Sequence, residues 1–343
     1  MPAQSPKGKL SVFRRSLQRL AQATGKIQPS EINRLSKPSK ADLADFRAEW
    51  PSVPLERKRA ILKAMNTAAE ESIHTDFSDL FIALLDDGDE RVRALSVDGL
   101  WENETPAVAR RLVRMLMEDG SSLARAAAAE GLGHFVQLAE EGRLPSPSLL
   151  TIVEALFTRY DDLSEDQDVR RRALESVSFA SDERLHGAIE RAYADDEQAL
   201  RISAVFAMGR SLDTAWSNTV IQELGNDEPA MRYEAAYAAG ELIVVEALPP
   251  LIELVGDADS QVRQAAVWAL GQIGGREAQR TLEAILEGDD EALHEAAEDA
   301  LAELEFLAGE TPFNMFEFEI DEDSRHNGPA EEEHGDDEKD DER

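Results

Sequence analysis

The sequence predicts an all-α fold: a right-handed solenoid of stacked antiparallel helix pairs, about seven repeats long, with a degenerate N-terminal cap. Three observations predict it. First, an arginine recurs as Arg93, Arg125, Arg170, Arg201, Arg232 and Arg263, with His294 in its place in the last copy. The intervals are 32, 45, 31, 31, 31 and 31 residues. A fixed step of this size marks units that bury their apolar faces only by stacking. Second, LDDGDERVRALSVDGL, VGDADSQVRQAAVWALG and LEGDDEALHEAAEDAL share an acidic turn followed by a helical pattern. Third, three columns of residues keep their character down the repeats. Three residues after the arginine stand Ser96, Ala128, Ala173, Ala204, Ala235, Ala266 and Ala297. Six after stand Gly99, Gly131, Ser176, Ala207, Ala238, Ala269 and Ala300, and seven after Leu100, Leu132, Val177, Met208, Ala239, Leu270 and Leu301. At about 100° per residue these columns share one helix face. Small residues let helices approach, and the third column fills the gap, which makes a buried stacking seam.

The elements follow in order. Residues 1–40 read as a flexible basic arm with nine Lys and Arg against one carboxylate, Glu31. Within it Leu10, Phe13, Leu17 and Leu20 recur at helical spacing beside Arg14, Arg15 and Arg19, which predicts a short basic amphipathic helix. Such a helix suits an anionic membrane surface, nucleic acid or an acidic partner. It equally suits an arm drawn to the chain's own acidic body, and its Arg- and Ser-rich composition also resembles a transit peptide. The array is expected over 41–309. ADLADFRAEW and PLERKRAILKAMNTAAEE predict two helices parted by Pro51 and Pro54, a degenerate first repeat that caps the stack. Each regular repeat then predicts a short first helix (PLIELV, TLEAIL), an acidic turn, and a second helix beginning near the recurring arginine. The long step from Arg125 to Arg170 places an insertion at about 136–149. There the second helix should overrun to about Glu140 before the loop EEGRLPSPS. Residues 310–343 read as an acidic, largely disordered tail.

Charge and composition narrow the function. Net charge is −34, divided as +8 over residues 1–40, −30 over 41–309 and −12 over 310–343. A body this acidic repels phosphate, so nucleic acid is not expected along its length, whereas a basic partner is. No apolar run reaches the roughly 18 residues of a membrane span, and no apolar core near the start reads as a signal peptide. Cysteine is absent, which excludes disulfides and thiolate metal sites and favours a cytoplasmic location. Nucleotide-binding, metalloprotease and esterase motifs are missing, and paired carboxylates carry no information in so acidic a chain.

The repeat resembles the HEAT family in its short 31-residue form, as in bilin-lyase-like (PBS lyase HEAT-like) and deoxyhypusine hydroxylase-like arrays. The resemblance is carried by DADSQVRQAAVWALGQIG (257–274), NDEPAMRYEAAYAAGEL (226–242) and DDEQALRISAVFAMGR (195–210), and covers about residues 76–307. It implies that the second helices line the concave side. It also implies that Arg93, Arg125, Arg170, Arg201, Arg232 and Arg263 belong to a structural polar ladder between repeats. Deoxyhypusine hydroxylase-like arrays hold two irons through several His-Glu pairs, and here His294-Glu295 alone matches. The chain is therefore expected to carry no catalytic, cofactor or metal residues. The rival expectation is an enzyme or lyase subunit acting on a tetrapyrrole or a modified residue. The remaining histidines, His134 among them, do not cluster at metal-ligand spacing.

Five residues after the arginine the column runs Asp98, Glu130, Glu175, Phe206, Tyr237, Trp268 and Asp299. One residue after, pointing nearly the same way, it runs Ala94, Ala126, Arg171, Ile202, Tyr233, Gln264 and Glu295. Ile202, Phe206, Tyr233, Tyr237, Trp268 and Gln264 therefore predict a concave strip bordered by Glu175, Glu295 and Asp299, with Gly209, Gly240 and Gly271 leaving room beside it. One reading is a groove for a protein or peptide partner of basic or aliphatic character. A second is that curvature buries these side chains against one another. A third is docking in cis of the tail segment Phe313–Ile320, which also holds Met315, Phe316 and Phe318.

Overall fold

The structure is a computed structural model that describes residues 10–22, 25–288 and 290–310, apart from the side chains at 146, 147 and 307–310. The chain divides into two units, Met1–Leu304 and Glu305–Arg343. Of the second, residues 305–310 are described, as the end of the last helix. The tail segment 313–320 lies outside the described residues.

The first unit is the expected all-α stack. Helices α1 (Val12–Gln22) and α2 (Pro29–Asn33) precede the cap pair α3 (Lys40–Glu49) and α4 (Leu55–Glu70). Seven pairs follow: α5 (Ser78–Leu84) with α6 (Glu90–Asp98), α7 (Pro106–Glu118) with α8 (Ser122–Glu140), α9 (Ser146–Asp161) with α10 (Gln167–Val177), α11 (Arg184–Tyr193) with α12 (Gln198–Arg210), α13 (Ser217–Glu223) with α14 (Pro229–Glu241), α15 (Leu248–Leu254) with α16 (Ser260–Ile273), and α17 (Gly275–Leu286) with α18 (His294–Glu310). The second helices pack in succession, α4 on α6, α6 on α8, and so on to α14 on α16.

The acidic turns have a local reason. Asp89, Asp166 and Asp259 each accept a backbone N–H from the first turn of α6, α10 and α16. A carboxylate there satisfies a donor the helix leaves open and complements its positive end. As the sequence predicts, α8 runs to Glu140, and Gly142 (φ 75°) turns the chain toward α9.

The seam is where the repeat makes its core. Every residue of the first column, Ser96, Ala128, Ala173, Ala204, Ala235, Ala266 and Ala297, has no exposed surface. Eight residues after the arginine, glycines carry the closest approach. A Cβ on Gly209 would stand 2.8 Å from Ala238 Cα, one on Gly240 3.0 Å from Ala269 Cα, and one on Gly271 2.8 Å from Ala300 Cβ. These glycines do not leave room beside the strip, as the sequence reading expects. They let one second helix touch the small-residue column of the next.

The N-terminal segment also differs from the expectation of a flexible arm. The amphipathic helix exists as α1, but Phe13, Leu17 and Leu20 are buried and α1 packs on α2, α3 and α4. Arg14 pairs with Glu49 at 2.6 Å and Asp45 at 3.2 Å, and Arg57 donates to the carbonyls of Leu20 and Gly25. The reason is the open end of the cap: its apolar face has no preceding repeat, and the apolar side of α1 covers it. Part of the basic side is thereby committed within the fold. No described helix is long and apolar enough to cross a membrane.

Candidate functional site

The recurring arginines sit at the starts of the second helices and tie turns together. Arg93 donates to both carboxylate oxygens of Asp119 in the next turn, at 2.8 and 2.6 Å, and to the Asp87 carbonyl of its own turn at 2.9 Å. Arg125 does the same with Glu165 (2.9 and 2.5 Å) and the Asp119 carbonyl. Arg232 does so with Asp257 (both 2.8 Å) and the Asn226 carbonyl. Arg263 keeps its own-turn bond to the Asp257 carbonyl and reaches Asp290 at 3.5 Å. The bidentate fork suits arginine and not lysine. Arg59 extends the row into the cap by pairing with Asp89 at 3.0 and 2.7 Å, a rung the sequence reading misses.

Two rungs depart from the pattern. Arg201 donates to the carbonyls of Asp195 and Asp196, and the next turn offers Asn226 where its neighbours offer a carboxylate. Arg170 donates to the Tyr160 carbonyl, ten residues back instead of six. His294, in the last copy, places Nε2 at 3.1 Å from the Gly288 carbonyl, the same six-residue reach as the arginines. At Arg93, Arg125 and Arg232 the row forms clamps between turns, with these guanidinium groups engaged within the fold.

The predicted strip lies on the opposite side of the second helices. Ile202 and Phe206 of α12 and Tyr233 and Tyr237 of α14 are half-buried, as is Trp268 of α16, while Gln264 is exposed. The rings touch in sequence. Tyr233 and Tyr237 are 4.9 Å apart, Tyr237 and Trp268 4.7 Å, and Phe206 meets Phe179 at 6.5 Å. Lateral packing hides part of each ring, and Phe179, Phe206, Tyr233 and Tyr237 also border two adjoining cavities. One, of about 300 Å³, is lined by Phe206, Tyr233, Tyr237, Arg210, Glu234 and Glu241. The other, of about 600 Å³, includes Ile202, Phe206, Phe179, Arg171, Glu175 and Glu234. Trp268 and Gln264 line neither. The Trp268 ring instead lies against Gly240, whose Cβ would meet it at 2.6 Å. Glu295 and Asp299 are exposed and line neither cavity.

The carboxylates of this groove are the part the sequence reading misses. Glu234 follows the arginine by two residues and Glu241 by nine, and both offsets fall on the groove side at about 100° per residue. The column nine residues on, Glu102, His134, Phe179, Arg210, Glu241, Gln272 and Glu303, is therefore a groove column too. Glu241 pairs with Arg210, whose guanidinium lies 5.4 Å from the Phe179 ring centre and 5.3 Å from that of Phe206. A cation over two aromatic faces and against a carboxylate is a favourable arrangement. Glu175 accepts from Arg172 at 2.9 Å and from the Ser203 hydroxyl at 2.5 Å. Glu234 differs: among the described residues it has neither a hydrogen bond nor an ion pair. Burial, with Glu175 adding like charge and Arg210 opposing, pushes its carboxyl up to about 7. Burial raises Glu241 as well. A carboxylate without an ion-pair partner in an aromatic groove can accept a cation from outside.

Residues 217–302 match the family described as HEAT repeats. No curated protein matches the chain. Among solved structures, YibA of E. coli is 18% identical, with 83% of this chain and 98% of that one covered and a TM-score of 0.47. The CpcE–CpcF complex of a Nostoc phycocyanin lyase is 18% identical over 67% of this chain and 94% of that one, with a TM-score of 0.44. Human deoxyhypusine hydroxylase is 17% identical over 86% and 98%, with a TM-score of 0.35. Likenesses at this level carry nothing about chemistry or partner.

Proposed function

We propose that this HEAT-repeat protein is a non-catalytic scaffold whose groove between α10 and α14 holds a segment of a protein partner that is both basic and apolar. The observation that carries it is Glu234, unpaired at the junction of two cavities and walled by Phe206, Tyr233 and Tyr237. Arginine and lysine side chains bring a cation for the carboxylates and an aliphatic stem for the rings. Arg210 already occupies such a position from within the chain. Docking of the segment 313–320 in cis fits less well. Residues 310–343 carry a net −12 and would bring like charge to Glu175, Glu234 and Glu241.

The test is a peptide array of graded net charge and apolarity probed with the full chain and with a Phe206→Ala, Tyr237→Ala, Trp268→Ala variant. Basic peptides carrying aliphatic or aromatic residues should be retained, and the variant should lose about tenfold in affinity, or about 1.4 kcal/mol. Circular dichroism checks that the variant is folded. Equal retention of acidic peptides, or a folded variant that binds unchanged, would refute the proposal. Stoichiometric metal or a visible chromophore in the purified protein would favour the enzyme class instead.

A further inference from the structure

A third cavity lies nearer the N-terminal end of the array, between α6 and α8, and its lining has a different character. It measures about 480 Å³, within the range of small-molecule sites. Val97, Leu100 and Leu112 give it an apolar floor, and all three are buried. Gly131 lets the floor close: a Cβ there would stand 2.6 Å from Val97 Cγ1. Trp101, half of whose surface is exposed (52%), forms a wall.

The polar lining is of one sign. Glu70, Asp98 and Glu130 line the cavity, and no lysine or arginine does. Glu130 reaches Arg172 at 3.5 Å, outside the lining. Asp98, exposed at the mouth, has no ion pair among the described residues, and its carboxylate accepts there only from its own backbone N–H. Burial and the Glu130 charge, with Arg172 opposing, push it up to about 6. His134 also lines the cavity, and its Nε2 is buried without a hydrogen-bond partner. Burial lowers this imidazole, which keeps it neutral near pH 7. Apolar floor, indole wall and a lining with three carboxylates and no cation of its own together set the chemistry the cavity suits.

We propose that this cavity is a binding site for a small organic cation, an ammonium carried on an aromatic or alkyl body. The ammonium sits between Asp98 and Glu130 and against the face of Trp101, where ring and carboxylates both attract it. The body lies on Val97, Leu100 and Leu112 and gains by leaving water. The cavity shares Glu130 and His134 with the larger cavity of the groove, but its floor of Val97, Leu100 and Leu112, its Trp101 wall and Asp98 lie outside that groove.

The experiment uses the full chain and three probes of one shape: 2-phenylethylamine, 2-phenylethanol and 3-phenylpropionate, measured by calorimetry and saturation-transfer NMR at pH 7.5. The amine should bind about tenfold more tightly than either control, a difference of about 1.4 kcal/mol. Asp98→Asn should weaken amine binding severalfold. Ala127→Leu, at a half-exposed position on the lining, should fill the cavity and abolish it. The Phe206, Tyr237, Trp268 variant should bind the amine as before, which separates this site from the protein-binding groove. Nα-acetyl-lysine amide, which presents an ammonium on a peptide, should bind more weakly, and equal binding would overturn the assignment to a free amine. Equal affinity for the three probes, no binding at millimolar concentration, or amine binding unchanged in both cavity variants would overturn the proposal itself.

Discussion

Replacing Glu234 with glutamine removes a charge that the folded groove disfavours, so the variant should be more stable than the parent chain. The carboxyl moves from an ordinary value of 4.5 in the open chain to about 7 in the groove. At about 1.4 kcal/mol for each tenfold change in proton affinity, that is roughly 3 kcal/mol, and solvent access reduces it to about 1–2 kcal/mol. The sign follows from proton counting. Between the two values the folded chain holds a proton that the unfolded chain has lost, so stability falls as pH rises from 4.5 to 7. The full penalty applies above 7. Glutamine keeps the shape and removes the titration. Urea or thermal unfolding followed by circular dichroism at pH 8 and pH 4.5 gives the difference between variant and parent at each pH. The gain should be about 1–2 kcal/mol at pH 8 and close to zero at pH 4.5. A gain of the same size at both values would refute the reasoning, and so would a loss at pH 8. The same variant should bind basic peptides less well, so stability and binding should move in opposite directions.

Other consequences follow from the seam and the ladder. Gly240→Ala drives a methyl group into Trp268 and Ala269 and should cost about 1–3 kcal/mol by denaturant unfolding. Arg232→Met leaves Asp257 without its fork, at a side-chain exposure of 8%, and should cost about 3 kcal/mol. Arg201→Met breaks no carboxylate rung and should cost about 1 kcal/mol, a contrast the same unfolding curves resolve. The Arg232 hydrogen bond holds Asp257 below the ordinary carboxylate range. That rung's contribution is present above the ordinary value and is lost as pH falls through the depressed one, so Arg232→Met should flatten the acid limb of the stability profile.

Much of this molecule is legible in its repeat. The arginine step predicts seven helix pairs and the cap, and the Ala and Gly columns predict the seam, because each copy restates the same packing constraint. The ladder is legible for the same reason, since an acidic turn and an arginine recur together. What repeats does not reveal the site. The strip is visible as a departure from the pattern at Phe206, Tyr233 and Tyr237, but its carboxylates are not. Glu234 and Glu241 are two among the chain's 70 acidic residues, and what distinguishes them is burial beside rings from other repeats. The arm is legible in part: its helix and its attraction to the acidic body are seen, but its firm seating is not foreseen. Helical periodicity in KLSVFRRSLQRLAQ predicts an apolar face, but not which surface covers it, and the cap needs a cover. His134 looks like an isolated histidine until the fold sets it in one cavity lining with Asp98 and Glu130.

The breaks in the arginine row bear on how the stack carries load. In a linear array each unit is held by its own stability and by its two neighbours. Where Arg93, Arg125 and Arg232 fork onto the next turn, a pull along the stack must break a directional ionic contact as well as separate apolar surfaces. At Arg170 and Arg201 that rung is absent, and the polar ties across the joints run on the groove side instead, from Ser203 to Glu175 and from Arg210 to Glu241. From α10 to α14 the stack is therefore riveted through the groove itself. A partner seated there would bear directly on those rivets.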